Sequence, residues 1–249
     1  MSDVLIVDDY RSPIRTGGKG REMDNLSCRA GRMTVASTAV VDNSDQSVLD
    51  LLARNGSSVP MPGAELQIRS LMLHLDQRSR ARTLVVEFPP GFTRNESGYY
   101  PCGEEVLVLA GRLHVAGLIL GLGDWAWLPP GMLRRGLQSE DGATVYAWFS
   151  GRNDWNPSEE GQSNFSARRV QLGLSAATPG PLRGGKNGDA QGASAVERPG
   201  AHIAGPAEIL NLERLTWRMV DNCDTAVAGP GPSLVRMPGS GGIDGTEIE

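Results

Sequence analysis

Six short apolar segments follow one another between Pro60 and Gly151, and glycine, proline, asparagine or aspartate bounds each of them. The segments are AELQIRSLMLHL, ARTLVVEF, EEVLVLAG, RLHVAGL, DWAWLP and ATVYAWF. Closely spaced strands with no helix between them are typical of antiparallel sandwiches and barrels. The sequence therefore predicts an all-β domain over residues 60–151, and its 32 glycines and 16 prolines agree with a turn-rich chain.

Residues 1–59 are predicted to form a polar N-terminal arm with a short helix, packed on the barrel or on a partner subunit. RMTVASTAVVD, within residues 31–43, is rich in β-branched residues and predicts a strand. SDQSVLDLLAR predicts the helix, with Ser44 or Asp45 as its N-cap and Asn55-Gly56 as its end.

Residues 152–200 are predicted to be a flexible linker or surface excursion, because residues 175–200 carry almost no large apolar side chain. Residues 201–249 are too few for an ordinary domain and are expected to pack on the barrel or on a partner. In this tail, AEILNLERLTWRMV fits a short helix or a strand. PSLVRMPG loosely echoes TLVVEFPPG, which suggests a fragmentary second barrel.

The charge pattern argues against nucleic acid as a partner. The net charge is −5, and no basic run exceeds the pairs Arg134–Arg135 and Arg168–Arg169. Nucleic-acid binding needs a concentrated positive patch. The most apolar stretch, residues 106–122, is too short and too often interrupted to span a bilayer, so no membrane association is expected either.

The cellular location follows from the N-terminus and the cysteines. MSDVLIVDDYR lacks a basic region ahead of an apolar one, so we expect no secretory signal. Cys28, Cys102 and Cys223 are few, odd in number and far apart, which argues against a disulfide framework. The expected location is the cytoplasm.

The segment GYYPCGEEVLVLAG, followed by GDWAWLPPGMLRR, resembles the two motifs of the cupin superfamily, most closely its ChrR-type branch. The first motif has two histidines one residue apart, then a glutamate, then a glycine. The second motif has a glycine, then Pro-x-Gly, then a histidine. Glutamate and the glycines fit, at Glu104, Gly111, Gly123 and Gly131, as does Pro129. Gly98, Tyr100 and Arg134 stand where the motifs have histidine.

The resemblance covers roughly residues 60–150. It implies a double-stranded β-helix, the jelly-roll barrel, here with N- and C-terminal extensions and one or two short helices. It also implies a homodimer, because cupin barrels usually dimerise through strand exchange.

The replaced histidines predict that no metal or other cofactor is bound. A divalent metal needs imidazole or carboxylate ligands, whereas glycine offers none and arginine repels a cation. The predicted catalytic residues are Glu104, Arg134 and Tyr100. Arg134 would hold an anionic oxygen, Tyr100 would donate to a developing oxyanion, and Glu104 would act as general base or simply pair with Arg134. A one-residue slip would turn Arg135 inward instead.

Five further residues are candidates for substrate binding: Tyr99, Trp125, Trp127, His114 and Cys102. Each has a plainer interpretation. The tyrosines alternate, so only one points inward, and the tryptophans share one strand face that core or interface packing would also explain. The histidine fits an ordinary strand position, as does His74, and the cysteine has no base near it in sequence.

Three functions follow. The first is a metal-independent enzyme of isomerase, cyclase or lyase type that acts on a small, partly apolar molecule, with a role in bacterial secondary-metabolite biosynthesis as a further hypothesis. The second is a non-catalytic ligand-binding or regulatory module, like ChrR-type sensors. The third is a metal-dependent dioxygenase with a rearranged site built from Glu104, Tyr100 and either His114 or His74.

Overall fold

The computed structural model describes residues 46–162, 164, 166–184, 192–221 and 224–237. The predicted arm and the strand expected within residues 31–43 lie outside these ranges. Over the described residues the chain forms one helix and nineteen strands, which confirms the all-β prediction. None of the helical structure in those ranges is long and apolar enough to cross a membrane.

The helix, α1 (Val48–Asn55), begins two or three residues later than its predicted caps imply. Its N-cap is Ser47, whose hydroxyl accepts a hydrogen bond of 3.2 Å from the first turn. Ser44 and Asp45, the predicted caps, lie outside the described residues. Gly56 ends the helix as predicted, and its N–H donates to a carbonyl of the last turn. The buried face of α1 packs on the outer surface of the first sheet.

The first barrel is built from twelve strands, and every pairing among them is antiparallel. One layer has the order β1-β2-β3-β10-β6-β8-β12, and β4, β9, β7 and the end of β6 form a second group. The strands are β1 (Ser57–Val59), β2 (Ile68–Leu75), β3 (Arg82–Phe88), β4 (Phe92–Arg94), β5 (Gly98–Tyr99), β6 (Glu104–Val115), β7 (Leu118–Gly121), β8 (Asp124–Leu128), β9 (Leu137–Ser139), β10 (Ala143–Phe149), β11 (Asn156–Pro157) and β12 (Arg168–Gln171).

The segments EEVLVLAG and RLHVAGL, predicted as two strands, form the single strand β6. Gly111 makes this possible. It has φ 71°, and a Cβ at this position would lie 2.1 Å from the carbonyl oxygen of Gly142. Only glycine fits so close an approach to the neighbouring chain. The strand therefore continues through Gly111 and contributes to both groups of the barrel.

A second, smaller sheet follows, with the order β13-β14-β19-β16-β17 and a separate pair β15–β18. Two of its strands lie inside the predicted linker, so that segment contains regular β structure. The segment AEILNLERLTWRMV, predicted as either a helix or a strand, forms a β-hairpin. The strands are β13 (Gly180–Arg183), β14 (Ala193–Glu197), β15 (His202–Ala204), β16 (Ala207–Asn211), β17 (Trp217–Val220), β18 (Thr225–Val227) and β19 (Ser233–Met237).

The smaller sheet packs one face against the first barrel, and buried ion pairs lie within the contact. Glu105 accepts hydrogen bonds from Arg183 at 2.8 Å and from the Ser194 hydroxyl at 2.6 Å. Its neighbour Glu104 points to the opposite side of β6, because side chains alternate along a strand. The strand β6 thus supplies two carboxylates, one to the barrel interior and one to the contact between the two sheets.

Candidate functional site

The interior of the first barrel holds a cavity of about 210 Å³. Most of its wall is apolar, contributed by the inward side chains of β2, β3, β6 and β10. Seven residues of the wall carry polar groups. They are Ser70, Arg94, Tyr100, Glu104, Arg134, Asn153 and the indole of Trp155. The structure thus brings the three predicted catalytic residues together in one cavity.

Glu104 and Arg134 form a partly buried ion pair in which the guanidinium Nη1 donates to the carboxylate Oε2. Arg134 is only 2% exposed. Its backbone pairs with that of Gly98, through N–H···O contacts of 2.7 and 3.2 Å, and this pairing fixes the side chain toward β6. Arg135 is exposed, so Arg134 is the inward arginine.

Tyr100 lies against the same arginine. The Cζ atom of Arg134 is 4.6 Å from the centroid of the phenol ring, a distance at which a cation is attracted to an aromatic face. The ring also makes edge contacts with Phe149 and Trp155, with centroids 5.5 and 5.1 Å apart. Burial raises the pKa of the Tyr100 phenol. At neutral pH the hydroxyl is therefore protonated and available as a donor.

Two members of the site escaped the sequence analysis. Arg94, 2% exposed, donates from Nη1 to the Tyr100 hydroxyl oxygen at 3.4 Å. Its guanidinium stacks on Trp155, with Cζ 3.7 Å from the ring centroid. In β4, Phe92 is buried and Thr93 exposed, so Arg94 points inward on the same side as Phe92. This alternation was the sequence feature that could have identified Arg94. Trp155 lies in the predicted linker and carried no such signal.

Comparison with known proteins supports a fold and not a function. No family model matches the sequence, and no curated protein is significantly similar to it. Among solved structures, a candidate dioxygenase from Nostoc punctiforme matches over 75% of this chain and 80% of its own, at 17% identity and a TM-score of 0.54. The chain has the cupin fold.

Weaker matches cover different shares of this chain. A candidate glyoxylate-induced protein from Pseudomonas aeruginosa is 13% identical over 73% of this chain and 84% of its own, with a TM-score of 0.45. A protein with a cupin-like fold from Ralstonia eutropha is 16% identical over 36% of this chain and 64% of its own, with a TM-score of 0.33.

The residues at the cavity do not fit a divalent metal. A Cβ at Gly98 would lie 2.5 Å from the Trp155 ring, so no ligand side chain starts there. Arg134 donates to the Glu104 carboxylate and places a fixed positive charge where a metal ion would bind. Over the described residues, no three side chains of His, Cys, Asp or Glu form a group that would hold a metal.

The histidines of the predicted rearranged metal site lie away from the cavity. His114 is exposed, and His74 is buried against Glu208, with 3.7 Å between Nδ1 and Oε1. Neither lines the cavity with Glu104. The proposed combination of these histidines with Glu104 and Tyr100 is therefore wrong.

The five predicted substrate-binding residues do not line the cavity. Trp125 and Trp127 sit on the side of β8 that faces the smaller sheet. Trp125 is fully buried there, and Trp127 stacks on Arg183 at 4.3 Å. Their neighbours Ala126 and Leu128 pack into the barrel core instead. The register of β8 thus makes both tryptophans packing residues, as the plainer interpretation had it.

The other three differ from one another. Tyr99 is half-buried and alternates with the inward Tyr100, and His114 points to solvent. Cys102 is buried in the barrel core beside the cavity. Burial raises the pKa of its thiol to about 11, so it is not a thiolate at neutral pH.

Proposed function

We propose that the protein is a metal-independent cupin enzyme that acts on a small, partly apolar organic molecule by acid–base catalysis and oxyanion stabilisation. Its reaction is of isomerase, cyclase or lyase type. One observation carries the proposal: Glu104, Tyr100 and Arg134 converge within a single apolar cavity whose residues do not suit a metal. A preorganised donor and a positioned base in a largely apolar site are sufficient for enolate chemistry.

The contacts suggest a role for each group. Glu104 takes a proton from a carbon beside a carbonyl group, and the electron pair of the C–H bond moves onto the carbonyl oxygen. Tyr100 donates a hydrogen bond to that oxygen, since Arg94 already donates to the phenol oxygen and leaves the O–H free. Arg134 holds the carboxylate in place. The proton then returns at a second atom, or a ring closes, or a leaving group departs.

Deuterium exchange tests this without knowledge of the natural substrate. A panel of small carbonyl compounds with an acidic C–H bond is incubated in D₂O with a chelator, and proton NMR follows loss of the C–H signal. We expect exchange with the wild-type protein and a decrease of about a hundredfold in Glu104→Gln. Glu87→Gln, a change at an exposed carboxylate of β3, serves as the control. Equal exchange in the wild type and Glu104→Gln would refute the proposal.

The second candidate is a non-catalytic ligand-binding cupin. It is favoured by the Glu104–Arg134 ion pair, because a carboxylate engaged by arginine also closes a barrel without performing chemistry. The two candidates differ in the exchange experiment. A binding module retains ligands in the cavity but exchanges no deuterium in any member of the panel.

A further inference from the structure

We infer that the cavity binds a small monocarboxylic acid with an apolar body, and that Arg94 holds its carboxylate. The inference rests on the proposed function in taking the cavity as the substrate site. It adds the charge class of the ligand and a residue that was not predicted from the sequence.

The first step is the charge balance inside the cavity. Three of the wall residues are charged: Arg94, Arg134 and Glu104. Arginine does not release its proton in proteins, so the guanidinium charges are permanent. One positive charge is cancelled by Glu104, and one remains. An uncompensated buried charge is costly, and a ligand with a single negative charge would neutralise it.

The second step identifies Arg94 as the free cation. Over the described residues it forms no ion pair with a carboxylate. Its Nε is buried without a hydrogen-bond partner, and Nη1 reaches only the Tyr100 hydroxyl, at a long 3.4 Å. Arg134 likewise has Nε and Nη2 unsatisfied. Buried donors of this kind are normally paired, and a carboxylate supplies the missing acceptors.

The third step concerns the rest of the ligand. Beyond the polar cluster, the wall consists of aliphatic and aromatic side chains, among them Val86, Val106 and Phe149. The volume of about 210 Å³ is below the roughly 300–1,000 Å³ of pockets for drug-sized molecules. A compact apolar body fits this wall. A dianion such as a phosphate monoester would leave a net negative charge and is not expected.

Calorimetric titration with three probe acids tests the inference. Benzoate, phenylacetate and hexanoate are each compared with the corresponding neutral amide at fixed low salt. We expect at least one acid to bind about tenfold or more tightly than its amide. Arg94→Met should abolish this preference, while Arg94→Lys should keep part of it, since lysine retains the charge without the planar fork. Arg112→Met, at an exposed arginine of β6, should leave it unchanged.

The results that would overturn the inference are equally definite. They are the absence of any acid-over-amide preference in the wild type, or a full preference in a folded Arg94→Met variant. Melting curves check folding, and if Arg94→Met does not fold, the wild-type and Arg94→Lys titrations decide. Failure of the proposed function looks different. In that case the acid preference persists but the wild type and Glu104→Gln exchange deuterium alike.

Discussion

The ring of Trp155 fills the space beside Gly98 in which a side chain would have to begin. A Cβ at Gly98 would lie 2.5 Å from Cζ2 of the indole and 2.5 Å from the carbonyl oxygen of Asn156. Real Cβ atoms do not approach other atoms so closely. The first histidine position of the cupin motif is therefore closed by packing, and the ring that closes it also stacks on Arg94.

This contact predicts the effect of a minimal substitution. Gly98→Ala should lower the free energy of unfolding by about 1–3 kcal/mol, because it overpacks a filled site. Urea denaturation measures the change. The control is Gly121→Ala, whose new methyl group would meet only Asp124 Oδ2 at 3.8 Å. In a protein that already carries Trp155→Ala, Gly98→Ala should cost less stability than it does in the wild type. If the effects of the two substitutions on the free energy of unfolding simply add, the predicted contact is contradicted.

The Glu104–Arg134 ion pair predicts an asymmetric double-mutant cycle. Glu104→Gln leaves a buried guanidinium without its carboxylate and should cost about 3 kcal/mol in the free energy of unfolding. Adding Arg134→Met removes the stranded charge, so the double variant should be more stable than Glu104→Gln alone. Urea denaturation of the single and double variants measures this. A double variant that is as unstable as the sum of the single changes would show that the pair is not coupled.

The buried thiol predicts slow alkylation. Because burial raises the pKa of Cys102 to about 11, its thiolate fraction near pH 8 is roughly a hundredfold below that of an ordinary cysteine. Peptide mass spectrometry after iodoacetamide treatment should therefore find Cys102 unmodified in the native protein and modified in urea. Rapid native modification would place the thiol outside the core.

The contact between the two sheets predicts an acid-sensitive carboxylate. Burial alone would raise the pKa of Glu208, but the Arg236 guanidinium, the nearby His74 imidazole and a hydrogen bond from the Thr83 hydroxyl hold it well below its ordinary value. A depressed folded pKa contributes stability above the unfolded pKa, about 4.3, and this stability is lost as the pH falls further.

The stability difference between the wild type and Glu208→Gln should consequently be largest at neutral pH. It should shrink as the pH falls from about 5 to 3, because the Glu208 carboxylate protonates in the unfolded chain over this range while it stays ionised in the folded protein. Urea denaturation across this range measures it, with the exposed Glu87→Gln as control. A stability difference that does not depend on pH would show that the negative charge of Glu208 does not contribute to the free energy of unfolding.

The sequence predicted the barrel and half of the site because both depend on local pattern. Strand alternation and turn residues located the strands, and the motif spacing located Glu104 and Arg134. The strands β13 and β14 lie inside the predicted linker and were not expected from the sequence, because their inward residues, such as Val196, are few and small. Low apolar content did not prevent β13 from pairing with β14, β14 from pairing with β19, or both strands from packing on the barrel.

The rest of the site depends on contacts between segments far apart in sequence. Trp155 reaches the cavity only because the chain after β10 returns past β5, where β11 pairs with it. Trp125 faces the smaller sheet because that sheet covers its side of β8, which no local pattern of the strand reveals. The domain boundaries and the homodimer stay predictions, and light scattering in solution would test the latter.

The metal content of the purified protein tests the central claim most directly. The protein is prepared without an affinity tag and without added chelator, and iron, nickel, zinc and manganese are measured by elemental analysis against protein concentration. The cavity residues predict far less than one metal ion per chain, with the same content in Glu104→Gln. Close to one ion per chain in the wild type, lost in Glu104→Gln, would contradict a metal-independent site.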